Sequence, residues 1–318
     1  MRCFDVHQHM LPEVYLSGLA ASGVDPARED GFPTPHWSEE AALQFADQMG
    51  IGFSVLSISS PHVVQGDPDK GIELAQHVND AMASFCAAHA ERFGFAATLP
   101  LPMVAASIAE AERAYEELGA LGVKVPTNAC GVYLGDPSFD PLMEALDARC
   151  AVVTIHPTKP SAVPAGQFAA EHAPLFEFLA DTTRAVLNMV AHGTIERYPH
   201  IHWIVPHCGS FLPEVAHRMA GISRVLVPAG MMEDADVLGC LRSLYYDVAG
   251  DAEPVMLDAL LKIADPAHLL YGSDWPYTPA PLARAKLASL LEGPHGLMPE
   301  DLFWKNGASL YGLEGSKA

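Results

Sequence analysis

An α/β chain closed into a single-domain (β/α)8 TIM barrel is the fold this sequence predicts, on three observations. Short apolar runs alternate eight times with longer helical stretches along the 318 residues. Several of those runs finish on a histidine or an aspartate, as expected where barrel strands open onto one face. Half of the residues are apolar, enough for one large core, and no repeat or low-complexity tract divides the chain. One domain over 1–318 is therefore expected, with residues 10–37 forming a loop over the active-site mouth.

The first strand is Arg2-Cys3-Phe4-Asp5-Val6-His7-Gln8-His9. Strand side chains alternate faces, so His7 and His9 should project together. Met10-Leu11-Pro12 breaks the strand, and the Gly, Pro and charged residues up to Trp37 read as a long loop of the kind that serves function. Ser38 suits the cap of a helix running to about Met49. The second strand is 53–58, closed by Ser59-Ser60-Pro61-His62. A helix from Gly71 to Glu91 leads to the third strand, 93–99, which Pro100 and Pro102 end. Another helix covers 104–118, and Val123-Lys124-Val125 is the fourth strand.

Beyond a loop from Pro126 to Pro137 lies a helix whose apolar faces include Leu142, Ala145 and Leu146. Residues 151–156 are the fifth strand, and 171–190 are helical. The sixth strand spans 201–207 in spite of Pro206, with two helical segments between Leu212 and Leu241. Residues 244–247 are the seventh strand, 254–263 a helix and 269–274 the eighth strand; the remainder is largely helical.

Eighteen Lys plus Arg against thirty-nine Asp plus Glu give a formal charge of -21, which disfavours nucleic acid and anionic lipid as partners. An anionic substrate would need a metal or an arginine to offset that field. No apolar run is long enough to span a bilayer, and no leader precedes the first strand. The six cysteines show no C-x-x-C pairing and are expected to be free thiols in a cytoplasmic protein.

A lone histidine is more often structural than a ligand. Here, however, the first, fifth, sixth and eighth strands finish at His7 and His9, His156, His207 and Asp274, ends that converge in a barrel. His7, His9, His156 and Asp274 would give one divalent ion three imidazoles and one carboxylate. Zinc is preferred for mixed nitrogen and oxygen ligands with an open position for water. Manganese is the alternative, because a carboxylate and an oxygen-bearing substrate suit a harder ion.

With these residues in view, the chain resembles the amidohydrolase superfamily, in particular the branch that decarboxylates aminocarboxymuconate semialdehyde, γ-resorcylate, 5-carboxyvanillate and 6-methylsalicylate. The resemblance runs through nearly the whole chain. It is carried by Asp5-Val6-His7-Gln8-His9-Met10-Leu11-Pro12, His156-Pro157-Thr158, Arg197-Tyr198-Pro199, His207-Cys208-Gly209-Ser210 and Gly272-Ser273-Asp274-Trp275-Pro276-Tyr277. Thr127-Asn128, the run from Tyr133 to Pro137 and Asp181-Thr182-Thr183-Arg184 look closest to the 6-methylsalicylate group. Ser210 departs from the glycine many relatives have there, which bears on a tight turn. Lys124 ends the fourth strand, but the branch generally uses a mononuclear site, so Lys124 is left out of the ligand set and expected to be half-buried.

The resemblance implies non-oxidative decarboxylation of an o-hydroxybenzoate such as 6-methylsalicylate, releasing CO2 without nicotinamide or pyridoxal. It makes Asp274 the preferred proton donor. His207 is placed to bind substrate, orient water or exchange that proton. It also implies that Arg218, eleven residues beyond His207, reaches a neighbouring subunit's site, giving a homodimer or a dimer of dimers; a surface ion pair is the plainer role. Trp275, Tyr277 and Trp37 are candidates to cover a planar substrate, with packing as the competing role. Asn128 and Tyr133 are candidates to select ring substituents. Cys208 and His207 are adjacent and should point apart, which disfavours a nucleophilic pair. The competing functions are a metal-dependent hydrolase of a lactone, ester or amide, a hydratase of an unsaturated acid, and a metal-binding barrel without catalysis.

Overall fold

The computed structural model describes residues 2–25, 27–164, 166–293 and 296–315; residues 1 and 316–318 of the expected domain lie outside these. Eight parallel strands follow one another around a single sheet. They are β1 Cys3–His9, β2 Ile51–Ser57, β3 Phe93–Thr98, β4 Gly122–Pro126, β5 Val152–His156, β6 His202–Val205, β7 Tyr245–Asp247 and β8 Leu269–Leu270. The two ends of the sheet meet. Val6 N donates to Tyr271 O at 3.0 Å, Asp274 N to His7 O at 2.8 Å and His9 N to Trp275 O at 2.8 Å. Such closure is the TIM-barrel arrangement.

β8 is shorter than the run to Asp274 read from the sequence. After Leu270 the backbone leaves its ladder with β7 and bonds to β1 instead, and Asp274 takes up a φ of +57°. Residues 10–37 also differ from the loop expected. They hold a helix, α1 Glu13–Ala21, and a two-stranded hairpin pairing Arg28–Glu29 with Phe32–Pro33. Tyr15 and Leu19, four apart and so on one helical face, are fully buried. The Tyr15 hydroxyl donates to Pro61 O.

The outer layer is built from α2 Glu39–Met49, α3 Pro68–Ala88, α4 Val104–Glu116, α5 Asp140–Ala148, α6 Glu177–Ala191, α7 Leu212–Leu226, α8 Val237–Ser243 and α9 Ala280–Glu292. Local chemistry sets several boundaries. Ser38 caps α2, its hydroxyl accepting from Ala41 N at 3.1 Å, and Gly50 ends that helix at a φ of +66°. Asp67 caps α3, whose first residue is a proline.

Two apolar clusters hold these layers. Phe4, Val6, Phe53, Val55, Ala96, Val152, Ile204 and Leu270 fill the barrel floor, where the Trp304 and Tyr311 rings lie 5.6 and 5.7 Å from that of Phe4. The larger cluster lies between strands and helices. The pairing of β1 with β2 slips between Asp5 and Gln8. That bulge changes which residues face the barrel axis, from Phe4 and Val6 at the floor to His7 and His9 at the mouth.

Candidate active site

The bulged end of β1 brings two imidazoles head to head. His7 Nε2 and His9 Nε2 are 3.0 Å apart, and Asp274 Oδ1 lies 3.5 Å from the first and 3.2 Å from the second. The ring of His156, the last residue of β5, stands 4.9 Å from that of His9 and 5.6 Å from that of His7. His207, just beyond β6, has its ring 5.1 Å from that of His7. One donor atom each from His7, His9 and His156 falls within 4.8 Å of the others, and so do donors from His7, His207 and Asp274. All five expected residues therefore meet at one mouth.

The far nitrogen of each of three rings is already committed. His7 Nδ1 contacts Asp247 Oδ2 at 2.9 Å, His9 Nδ1 contacts Ser57 O at 3.3 Å and His156 Nδ1 contacts Pro157 O at 2.9 Å. A ring nitrogen facing an oxygen acceptor carries a proton; His9 and His156, which burial keeps neutral, therefore offer Nε2 as a lone pair, and His7 would offer its own once a bound ion replaced the Nε2 proton that its carboxylate neighbours favour. Lone pairs and a carboxylate oxygen converging in a buried place are the donor set of a divalent cation. The residues present fit such an ion.

Charge follows from burial and partners. Burial opposes charge on His7, yet Asp247, Asp274 and Asp5 outweigh it and raise its pKa to about 9. Burial dominates for His9, which falls to about 4, and for His156, pushed well below the ordinary histidine value. For Asp274, burial is overcome by His9 and His7, which hold it below the usual carboxylate range. Asp247 ends β7 and was not singled out from the sequence. Its Oδ1 accepts from the backbone of His207 at 3.1 Å and of Ala249 at 3.0 Å, so one carboxylate orients His7 and anchors the His207 turn.

That turn is held in a rarely used conformation. His207, Cys208, Gly209 and Ser210 all have φ between +51° and +71°. Ser210 thus keeps the turn that a glycine would adopt more easily. Cys208 is fully buried in the outer apolar cluster, and burial pushes its thiol well above the ordinary value, so no Cys–His nucleophile forms. His207 faces a chamber of about 310 Å³, sized for a single aromatic ring.

Phe32, Pro174, Phe178, Leu179, Met256 and Tyr277 make the apolar wall of that chamber. Of the five residues expected to touch substrate, Tyr277 is there, its ring 5.5 Å from that of His9. The other four do not line it. Trp275 turns outward and stacks on Phe45 at 4.9 Å, because it follows the inward-facing Asp274. Trp37 packs edge-on against Phe85 in the helical layer, at 5.5 Å. Asn128 lines a separate cavity of about 340 Å³, and Tyr133 is tied to α6. Arg218, on α7, is exposed and does not reach the chamber of its own chain. Lys124 is fully rather than half buried; its ammonium donates to Ser59 O at 3.0 Å, and burial lowers its pKa to about 7.

Asn128 and Tyr133 belong to a network around the buried Asp181 carboxylate. It accepts from the Thr127 hydroxyl, from Asn128 Nδ2 at 2.8 Å and from the Tyr133 hydroxyl, with Arg184 Nη1 at 3.6 Å. Thr158, two residues beyond His156, joins through Thr127 Oγ1 and Asn128. On the same helix the Thr183 hydroxyl accepts from Phe211 N at 3.0 Å, just past the His207 turn. One turn of α6 thus braces both the His156 and the His207 loops, and it carries Phe178 and Leu179 into the wall.

The sequence matches the family described as amidohydrolase over residues 4–313. It is 32% identical over 283 residues to a 6-methylsalicylic acid decarboxylase of Penicillium expansum, covering 88% of this chain and 86% of that one. A crystal structure of an amidohydrolase II superposes with a TM-score of 0.91 at 35% identity, covering 98% of this chain and 99% of that chain. The fold is also that of a 5-carboxyvanillate decarboxylase from Novosphingobium aromaticivorans, solved with manganese and 4-hydroxy-3-methoxy-5-nitrobenzoic acid. That match has a TM-score of 0.84 at 22% identity and covers 98% and 96% of the two chains.

Two outcomes are expected. Stripping divalent ions with a chelator lowers the melting temperature, and restoring them recovers it, a stabilisation of about 4 kcal/mol at a thousandfold excess over Kd. His7→Ala abolishes the recovery. Asp181→Ala, which removes the acceptor shared by Thr127, Asn128 and Tyr133, costs about 2–4 kcal/mol in chemical denaturation; an unchanged midpoint would remove the bracing role of α6.

Proposed function

Because the chain belongs to the amidohydrolase family, in its decarboxylase branch, we propose that its chamber decarboxylates an o-hydroxybenzoate without oxidation, 6-methylsalicylate being the substrate class in view. The observation that carries this reading is the facing Nε2 pair of His7 and His9 beside Asp274, at the mouth of a chamber sized for one ring. His7, His9, His156 and Asp274 are the residues that would hold the ion. When bound, the ion supplies Lewis acidity that draws in the carboxylate and ortho-hydroxyl oxygens and eases charge off the ring. Two substrate oxygens added to the Asp274 carboxylate favour manganese over the zinc that the protein ligands alone suggest.

Asp274 and His207 carry the proton. Asp274 is held as a carboxylate, so it must gain a proton before giving one; the substrate's ortho-hydroxyl supplies it. Delivered to the carboxylate-bearing carbon, that proton lets the C–C bond break, with its electron pair returning to the ring and carbon dioxide leaving. His207, kept neutral chiefly by burial and next by His7, lines the same chamber with Nδ1 buried and without a hydrogen-bond partner. It relays a proton from water to the ortho-oxygen that gave up its own, so that each turnover takes up one proton and leaves a neutral phenol. Tyr277 and Phe178 cover the ring.

Arg218 serves a partner subunit in this reading. On α7 it shares one helical face with Ile222 and Val225, four and seven residues on, which are 41% and 69% exposed. An apolar stripe beside an arginine suits a homodimer contact. Among the described residues, no helix is long and apolar enough to cross a membrane.

Isotopically labelled carbon dioxide should be released from o-hydroxyaryl acids by the manganese-loaded protein, and Asp274→Asn should lower kcat at least about a hundredfold. Turnover of lactones or esters without carbon dioxide release would favour the hydrolase reading instead. Mixing inactive Asp274→Asn and Arg218→Ala protomers should restore activity, since one site of each hybrid dimer then has both residues intact. Hybrids that stay inactive would leave Arg218 outside the partner's site.

A further inference from the structure

A protein with a formal charge of -21 has to admit an anion to this chamber, and the lining contains one lysine or arginine among the described residues, Lys286. From this we propose that Lys286 is the residue that takes the carboxylate of the incoming aromatic acid. The inference rests on the decarboxylase reading and adds to it the cation that recognises the departing group.

Lys286 lies on α9, outside every motif that pointed to the site. It lines a narrow void together with Val248, Tyr271 and Leu290 as well as the chamber itself, a placement that suits a long apolar stem with a charged head. The ammonium emerges into the chamber that His207 and Asp274 line, close enough for its charge to act on His207. Its partner there is Asp251, 3.3 Å away; the Lys286 side chain is 19% exposed, but that of Asp251 is 82% exposed. Asp251 follows Gly250, whose φ of +88° marks a turn. An ion pair with one partner largely in water is weak and readily exchanged. The other carboxylate of the chamber, Asp274, is already engaged by His7 and His9. Lys286 is therefore the cation with a replaceable partner.

An aryl carboxylate entering the chamber displaces Asp251, and the ammonium then donates to a carboxylate oxygen. The consequence for catalysis follows from charge. The substrate carboxylate is anionic in the bound acid and gives up its charge only as the bond finally breaks, so Lys286 holds the bound substrate and the transition state about equally. Loss of such a contact appears in KM and leaves kcat nearly intact.

The test compares ligands with and without the carboxylate, on manganese-loaded protein. Lys286→Met should weaken benzoate binding about tenfold or more in calorimetry, the scale of one hydrogen bond between charged groups. Phenol binding should stay within about twofold, since phenol carries no such group. Lys286→Arg should keep benzoate affinity, and Asp251→Asn should tighten it. For 6-methylsalicylate, Lys286→Met should raise KM with kcat changed less than about threefold. Equal weakening of benzoate and phenol would show a merely structural lysine, and unchanged benzoate binding would show no role; either overturns the proposal. Wild-type protein that binds benzoate through Lys286 but decarboxylates no o-hydroxy acid would sink the decarboxylase reading alone.

Discussion

Two ring nitrogens that face each other at 3.0 Å, each ring tied to an acceptor on its opposite side, are the constraint on which this structure turns. Positive charge has to lie between them, as a proton on His7 or as a bound cation, and burial removes the water that would otherwise relieve the pair. Asp247 on β7 and the carbonyls of Ser57 and Pro157 fix the ring orientations that create this demand. The bulge in β1 and the direct bonding of 271–275 to that strand bring Asp274 to the same point. A closed barrel is what allows residues from β1, β5, β7 and the end of β8 to converge within a few ångströms.

Strain near the chemistry is balanced by bracing around it. The positive φ values from His207 to Ser210 and at Asp274 aim both side chains into the chamber, a geometry the backbone would not choose alone. Asp247 anchors one end of the His207 turn, and α6 anchors the other through Thr183. The same helix fastens the loop after His156 through Asp181 and builds the apolar wall with Phe178 and Leu179. Shape for the substrate and orientation of the ligands are thus coupled through one element, which gives a physical role to Asp181-Thr182-Thr183-Arg184.

The electrostatics are divided by location. Acidic groups dominate the chain as a whole, yet the chamber has an apolar wall, neutral imidazoles, one carboxylate poised for an ion and the Lys286 head at its edge. An aryl acid entering such a place exchanges water for an ion and an ammonium on one side and for Phe178 and Tyr277 on the other. A neutral phenol has lost the carboxylate's share of the first set, so product leaves more easily than substrate.

Local periodicity was enough to read eight strands, most of the helices and the meeting of His7, His9, His156 and Asp274 at one mouth, because alternation and strand ends are properties of short stretches. Helix α1 was legible in the spacing of Tyr15 and Leu19, but the surrounding Gly, Pro and charged residues masked it. Trp275 could have been turned outward by the same alternation that placed Asp274 inward. Asp247 ends the seventh strand much as the other site residues end theirs, but its partner had no local signal, and Lys286 had none at all. Asp247 orients His7 across 240 residues of chain, and Lys286 reaches the chamber from the last long helix. Phe178, Leu179 and Met256 form a wall only because two segments far apart in sequence pack over one mouth. Residue type and spacing determined which groups could bind an ion at the strand ends. Only the closed tertiary structure decided which distant side chains orient them, wall the chamber and meet the substrate, because those contacts depend on loop paths set by packing between elements far apart in sequence.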